Sequence, residues 1–520
     1  MKNRKILALL LSLSMTVSAF SACDFVKGFM GGNSEENSVN SESSESTSEV
    51  HEHVFGDTWK HNSSTHWHVC ECGEKAEITK HSGGTATCEN KAVCEVCGRE
   101  YGTIAGHSFG ELKELEEGVM GYECVCGETQ NLLTIENEDG TTEQGLLDFV
   151  VEVEEGKTPV ILQLTDPQIC NWGSLEDMCY KYIRETVQAT KPDLIIMTGD
   201  VVYGRFDPTG SLLKSIINFM ETLETPWAPV FGNHDNESLM GVDWQCEQLE
   251  AAEYCLFRQG SVTGNGNYSV GVMQGGEILR AFYMMDSNGC GAPMCDEDGV
   301  TTKPAAGTNV VKTSAGFDDN QIKWYSNSIA TLSKVSPITK YSIAYHIQQS
   351  VFTKAYGQYG YSGRLKAGSN SELKYALNFD AAKMIDAETW KVEKELEVKE
   401  GDIGYLGRAM KGPWDQSQAI FNGMKTLGVD SLFVGHEHCN SASVVWNGVR
   451  FQYGQKSSTY DRYNSVDGNG KITGAYSTGH PQGATPMIGG TAFSLSQEDG
   501  TILNPYIYLC GDPLGTNPKN

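Results

Sequence analysis

The sequence predicts an α/β fold preceded by small Cys/His modules, and three observations carry that prediction. From about residue 158, short apolar runs alternate with stretches of helical periodicity. Five of those runs stop at a cluster of polar side chains. Upstream, between His51 and about residue 130, the composition turns abruptly to histidine and cysteine.

Val160 to Leu164 reads as a buried strand that ends at Asp166-Pro167-Gln168. Residues 174 to 190 have helical periodicity, Asp193 to Thr198 reads as a second strand ending at Gly199-Asp200, and residues 211 to 223 read as helix. Ala228 to Phe231 then leads into Gly232-Asn233-His234-Asp235. Such alternation implies parallel pairing with right-handed crossovers, so all three clusters fall at the carboxyl edge of one sheet, where open α/β sheets bind ligands. Tyr341 to Tyr345 delivers His346 in the same way, and Ser431 to Val434 delivers Gly435-His436-Glu437-His438. Residues 350 to 415 form an insertion between these two, rich first in Gly and Tyr and then in charges with helical potential, which on the active edge would shape access. Ser443 to Tyr453, with a central Asn447-Gly448, reads as a β-hairpin that completes a second sheet with strands at 491 to 495 and 502 to 509.

Each cluster alone is weak, since an Asp at a strand end is usually a turn residue and a single His is more often structural. Together they supply the carboxylate, amide and imidazole groups that two adjacent divalent or trivalent cations need. A bridging carboxylate holds such a pair about 3.5–4 Å apart, and the water shared between them is acidified into a hydroxide nucleophile suited to in-line attack on phosphorus.

The ordered set resembles the calcineurin-like metallophosphoesterases over roughly residues 158 to 512, and within them the purple-acid-phosphatase-like enzymes. The resemblance implies a four-layer α/β/β/α sandwich and a metal-dependent phosphoesterase that favours monoesters, with two ions drawn from Fe, Mn or Zn. It also implies roles. Asp200 would bridge both ions, Asp166 and His438 would hold the first, and Asn233, His346 and His436 the second. His234 would be an acid or phosphate contact held by Asp235.

Two positions depart from or extend that pattern. Gln168 stands where the superfamily's Asp-x-His motif has histidine, and would either ligate through its carbonyl or hydrogen-bond a metal-bound water. Tyr203, three residues after Asp200, matches the Gly-Asp-x-x-Tyr motif that supplies a phenolate to ferric iron, although the first cluster lacks the glycine those enzymes carry; packing over the rim is the alternative. Arg205 is a candidate substrate contact at that rim. Glu437 is assigned no role.

The chain carries 39 Lys and Arg against 67 Asp and Glu, a formal charge of −28. Such a surface repels polyanions, so no nucleic-acid groove is expected and a small phosphorylated substrate fits better. A phosphodiesterase or nucleotidase is the alternative enzyme reading.

Lys2, Arg4 and Lys5 followed by an apolar run to residue 20 read as an export signal over residues 1 to 22. Small residues before Cys23 resemble a bacterial lipobox, which makes Cys23 a lipidated first residue, a membrane anchor outside the cytoplasm; ordinary secretion is the alternative. Residues 23 to 50 hold few large apolar side chains and read as a solvated linker.

Residues 51 to 130 contain a repeat. His53-Val54-Phe55-Gly56-Asp57 recurs as His107-Ser108-Phe109-Gly110-Glu111, and Cys70-Glu71-Cys72-Gly73 recurs as Cys124-Val125-Cys126-Gly127, with the same spacing inside each copy. Zinc-ribbon-like modules are expected, with structural zinc on His53, Cys70, Cys72 and His81 and on Cys88, Cys94, Cys97 and His107. A disulfide framework is the alternative. The region resembles Cys/His repeats of bacterial surface proteins, which implies contact with a wall or surface and gives a second class of function, an attachment protein. In the later domain, Cys170 to Cys179, Cys246 to Cys255 and Cys290 to Cys295 are short-loop disulfide candidates, and free buried thiols are the equal alternative.

Overall fold

A computed structural model describes residues 53–519 except 63, 89, 103–112, 117–118, 128, 132, 137–141, 146, 171–173, 290–293, 296–300, 303–314, 337, 411–416 and 478–482. The segments expected to be an export signal and a linker, residues 1 to 50 with Cys23, and His107 lie outside the described residues, as does the expected Cys290 to Cys295 pairing. The chain divides into two compact units, one spanning Leu7–Ala105 and the other built chiefly from Gly106–Asn520.

In the first unit, Lys60–His61, Thr65–Val69 and Lys75–Lys80 form a three-stranded antiparallel sheet. Ala92–Val93 and Glu100–Tyr101 pair across a tight turn that carries Cys94 and Cys97. Gly98 N donates to Cys94 O at 2.8 Å and Cys94 N to Arg99 O at 2.8 Å, which closes that turn.

The second unit is built on two sheets. Its five-stranded sheet runs Trp227–Pro229, Leu194–Met197, Val160–Leu164, Gly489–Leu495, Ile502–Leu509, the first three parallel and the last two antiparallel. Its eleven-stranded sheet has a parallel centre of Glu277–Met284, Lys340–Ala344, Val429–Val434 and Val449–Tyr453. The apolar runs are buried on both faces because each sheet is covered twice. Between the sheets, Phe433 stacks on Phe493 with ring centroids 5.2 Å apart, in one core with Leu162, Ile196 and Phe282. Ser174–Thr190 and Ser211–Glu221 add Ile183 and Ile216 to that core from the smaller sheet's side. Asp319–Val335, Val351–Gly357 and Ser417–Thr426 cover the larger sheet with a second core around Ile329, Phe352 and Phe421. The result is the expected four-layer α/β/β/α sandwich.

Three expectations about elements are corrected. The hairpin does form, with Asn447 at φ 51° and Gly448 at φ 78° between antiparallel partners, but it joins the eleven-stranded sheet. Gly489–Leu495 pairs instead with Val160–Leu164, closing the open edge of the parallel trio in antiparallel register, and Ile502–Leu509 pairs onto Gly489–Leu495 as the new edge. The insertion is not chiefly a helical access loop. Four of its segments, Glu372–Asn378, Lys383–Asp386, Val392–Glu395 and Ile403–Arg408, extend the larger sheet, and Tyr356 is fully buried with its ring 5.9 Å from Tyr453. No helix among the described residues is long and apolar enough to cross a membrane.

Candidate metal centre

The two sheets bring their carboxyl edges together, so clusters far apart in sequence meet. Asp166 and Asp200 follow strands of the smaller sheet, while His346, His436 and His438 follow strands of the larger. Asp166, Gln168, Asp200 and His436 take positive φ values of 52°, 48°, 52° and 72°, a conformation disfavoured for residues with a Cβ and concentrated at functional sites. Two glycines permit the close approach. A Cβ on Gly232 would lie 2.2 Å from Asp200 Oδ1, and one on Gly435 would lie 2.7 Å from Asp166 Oδ2.

The ligand atoms converge as two triads that share one carboxylate. Asp166, Asp200 and His438 form the first and Asp200, His346 and His436 the second, each with donor atoms within 4.8 Å of one another. His438 Nε2 lies 3.1 Å from Asp166 Oδ1, and His346 Nε2 lies 3.2 Å from Asp200 Oδ2. His346 Nδ1 donates to Thr198 O at 2.8 Å, which leaves Nε2 as the atom facing the carboxylate. Asn233 adds an amide oxygen, Oδ1, that is buried without a hydrogen-bond partner.

Charge states fit cation binding. Burial favours a protonated Asp166, but His438 outweighs it and lowers the carboxyl to about 2. Asp200 is likewise lowered well below its usual range, by His346 and His234 against burial. Burial works against protonation of His346, yet Asp200 and Asp166 raise it to about 10, so a proton sits where a cation would take its place. Burial and the neighbouring His346 lower His436 to about 3, which keeps that imidazole in its neutral, ligating form. An orphaned amide oxygen, a shared carboxylate and three imidazoles suit two cations.

His234 sits at the edge of the centre. Its backbone N–H donates to Asp200 Oδ1 at 2.8 Å, and its ring Nδ1 lies 3.0 Å from Glu237 Oε2. Asp235 does not hold it. Both Asp235 oxygens instead accept backbone N–H groups, from Gly232 at 2.8 Å, Val202 at 2.9 Å and Val201 at 3.2 Å, so the residue ties the second and third clusters together. Burial, then the charge of Asp200, pushes Asp235 up to about 7.

Gln168 presents its amide nitrogen to the centre, 3.2 Å from Asp200 Oδ2 and 3.1 Å from His438 Nε2. Its oxygen accepts from Lys456 Nζ at 3.3 Å, so in this orientation it is a hydrogen-bond donor to the ligands and not itself one. The Tyr203 ring packs 3.9 Å from the ring of His234, and burial, with Asp461 and Asp200 nearby, raises its phenol far above the usual value. Arg205 lies over the Tyr203 and Phe206 rings, with Nε 3.8 Å from Glu237 Oε2. Glu437 is buried and pairs with Arg408, Nε to Oε2 being 3.6 Å.

Three residues of the centre escaped the sequence reading. Lys456 is fully buried and donates to Asp166 O at 2.8 Å. Asp461 Oδ2 lies 3.4 Å from His438 Nδ1. Glu237 had a signal, since it stands three residues after His234 on one turn. Lys456 had a fainter one, as a cation just beyond the apolar strand Val449–Tyr453.

In the first unit the predicted ligands regroup. His53, Cys70 and Cys72 do converge, with His53 Nδ1 3.2 Å from Cys72 Sγ, but His81 leaves that set. It joins Cys94 and Cys97, together with His66, which the sequence reading did not name; Cys88 lies outside this quartet. The shift follows from the hairpin, which places the end of Lys75–Lys80 beside Thr65–Val69 rather than beside Cys70. Cys170, Cys179, Cys246 and Cys255 are buried thiols, so of the two alternatives for them the structure has the thiols and not the short-loop disulfides.

Two covered sheets with a carboxylate-bridged ligand set at their common edge define the metallophosphoesterase fold. Residues 159–292 match the family model described as calcineurin-like phosphoesterase, so the chain carries such a domain. That segment holds Asp166, Gln168, Asp200, Asn233 and His234, while His346, His436 and His438 lie beyond it. The chain is similar to probable inactive purple acid phosphatase 14 of Arabidopsis thaliana, 30% identical over 102 residues, covering 17% of this chain and 24% of that protein. It is also similar to phosphatase DCR2 of Saccharomyces cerevisiae, 27% identical over 120 residues, covering 21% and 20%. The match thus spans a quarter or less of each relative. Among solved structures, a dimetal phosphatase from Danio rerio aligns over 65% of this chain and 93% of that one, with 10% identity and a TM-score of 0.36. A purple acid phosphatase from yellow lupin seeds aligns over 75% and 58%, with 10% identity and a TM-score of 0.28.

Proposed function

We propose that this chain hydrolyses small phosphate esters, monoesters favoured, at a dinuclear metal centre outside the cytoplasm. The observation that carries the reading is the pair of ligand triads sharing Asp200. Two cations on these donors would polarise the phosphoryl group and supply activated solvent. The residues around them then have distinct tasks. Asp200 would be shared by both ions, Asn233 Oδ1 would add a donor to the second site, and Gln168 and Lys456 hold Asp200, His438 and Asp166 in place for the first.

His234 is placed to act as the acid. Glu237 accepts a hydrogen bond from Nδ1–H, and Asp200 and Glu237 together favour the imidazolium, in which Nε2 carries the second proton that a leaving oxygen would receive, a contribution typically worth about 10²–10⁴ in rate. Arg205 gives the rim a cation that orients Glu237 and attracts substrate phosphate. Iron with zinc or manganese is the metal set if Tyr203 ligates, and manganese, iron or zinc otherwise.

The basic start, the apolar run and the Ala22-Cys23 junction support anchoring at Cys23, with the first unit as spacer or surface contact. The name of the plant relative calls that protein inactive. Here every ligand position except that of Gln168 is filled, which supports turnover. The test is elemental analysis of the purified chain with a phosphatase panel, comparing wild type, Asn233→Ala and His234→Ala. The first variant should lose one metal and its activity, and the second should keep both metals but turn over slowly. Full turnover in both variants would overturn the reading.

A further inference from the structure

The first unit has an interior made of ligands. Among its described residues only His66, Cys70, His81 and Cys94 are buried; no aliphatic side chain is buried with them, and the aromatic rings packed on them, Trp59 on His66 and Tyr101 on His81, are themselves only half-buried. The strand Lys75–Lys80 shows an almost wholly exposed pattern, so the sheet covers no apolar layer. A segment of this size without an apolar core needs a covalent or metal crosslink to fold.

We infer that His66, His81, Cys94 and Cys97 form a structural zinc site. The distances are those of a tetrahedron's edges. With Zn–N of about 2.0–2.1 Å and Zn–S of about 2.3 Å, a tetrahedral ion sets N···N near 3.3 Å and N···S near 3.6 Å. His66 Nδ1 and His81 Nδ1 are 3.4 Å apart, Cys97 Sγ is 3.4 Å from His81 Nδ1, and Cys94 Sγ is 3.7 Å from His66 Nδ1. All four donor atoms lie within 4.8 Å of one another.

The outer nitrogens settle which face of each ring points inward. His81 Nε2 lies 2.9 Å from Asn62 O, and a carbonyl only accepts, so Nε2 bears the proton and Nδ1 offers its lone pair to the quartet. His66 Nε2 is held by Thr79 Oγ1 at 2.8 Å, which turns its Nδ1 to the same point. Two residues separate Cys94 from Cys97 in the closed turn, the knuckle spacing that lets two thiolates meet one ion, and both are thiols here. His66 and Cys94 are each 1% exposed, so a Cys94 thiolate in this interior calls for a cation beside it, which a metal ion on the quartet would supply.

The experiment uses the full chain, loaded with zinc, and site-resolved thiol alkylation read by mass spectrometry. Cys94 and Cys97 should be protected and become reactive when a chelator removes the metal. His66→Ala should lose one zinc equivalent and that protection, His66→Cys should keep both, and Thr79→Val should weaken zinc binding about 10–100-fold. Proteolysis covers the case in which His66→Ala does not fold, because chelator treatment of wild type should then expose residues 53–102 to the same cleavage. Equal alkylation of Cys94 and Cys97 with and without chelator, a Cys94–Cys97 disulfide in the native chain, or cleavage indifferent to chelator would overturn the site. None of these readouts depends on phosphoesterase turnover.

Discussion

Lys456 Nζ lies 3.3 Å from Gln168 Oε1 inside the protein, and this contact fixes which end of the Gln168 amide faces Asp200 and His438. The same ammonium donates to Asp166 O at 2.8 Å, so it braces the loop that presents a ligand while placing a like charge beside a cation site. Burial lowers the pKa of Lys456, although Asp166 and Asp461 oppose that. At an effective dielectric near 20, a unit charge about 4–8 Å from a cation opposes it by about 2–4 kcal/mol. Lys456→Met should therefore tighten the first site at least about tenfold, with some loss of thermal stability from the carbonyl left unsatisfied. Competition against a chelator measures the affinity, and an unchanged dissociation constant would refute the brace-and-repel account.

The pair His234 and Glu237 makes a prediction about pH. Burial lowers the pKa of His234, but Asp200 and Glu237 outweigh it and raise it above the ordinary imidazole value. A raised value keeps the imidazolium present as pH climbs, and activity that needs it disappears as pH rises through the folded pKa. Glu237→Gln removes one of the raising charges, so the alkaline limb of kcat/KM should move to lower pH while both metals stay bound. His234→Asn should lose more rate on alkyl phosphates than on aryl phosphates, whose leaving groups need less protonation. An alkaline limb unmoved in Glu237→Gln would sink the assignment.

The parts of this site that were legible in the sequence are those that a strand delivers. Asp166, Asp200, His346 and His436 each follow an apolar run, and periodicity alone marks where such a run stops. Asn233 was legible for the same reason. What the sequence could not show is which atoms complete the bonds across the two sheets. Asp461 reaches His438 from a loop with no apolar run before it, and the exchange of Asp235 for Glu237 depends on a short helical turn, Asp235–Glu237, that sends one carboxylate to backbone amides and the next to the imidazole. Strand partners were misassigned at the hairpin because pairing between sheets is a tertiary property that local alternation does not encode. His66 was passed over because it sits in a strand of mixed burial, where it reads as one histidine among several.

An ion pair between a buried Arg280 and a half-buried Asp430 holds the far ends of the two strands that deliver the histidines. Arg280 is fully buried on Glu277–Met284, and its guanidinium reaches Asp430 at 2.6 and 3.0 Å, Ser342 at 2.7 Å and Ser431 at 3.0 Å. It thereby ties Lys340–Ala344 and Val429–Val434 to their neighbour. Removing Arg280 leaves Ser342, Ser431 and the Gly500 carbonyl without their buried donor, at about 1–3 kcal/mol in all, while water can reach the half-exposed Asp430. Arg280→Ala should lower the denaturation midpoint by that order, while Arg280→Met, which keeps the volume, should cost less. A midpoint shift below about 1 kcal/mol in Arg280→Ala would show that the pair does not hold the strands.

Asn233 and Asp235 stand two residues apart and should fail in opposite ways when removed. Asn233 Oδ1 is buried with no hydrogen-bond partner, so Asn233→Ala strips a donor from the second site while sparing the hydrogen bonds of the fold. Asp235 accepts from three backbone amides, and its loss strands them at about 1–3 kcal/mol each. Asp235→Ala is expected to lower stability by several kcal/mol and to lose activity as a consequence. Asn233→Ala is expected to keep the apo protein's midpoint within about 1 kcal/mol while losing one metal equivalent. Adding excess metal should recover part of the activity of Asn233→Ala, because a weakened site fills by mass action, and none of that lost in Asp235→Ala at temperatures where it is unfolded. Metal analysis beside denaturant titration separates the two, and a variant of Asn233 that keeps both metals would remove this residue from the centre.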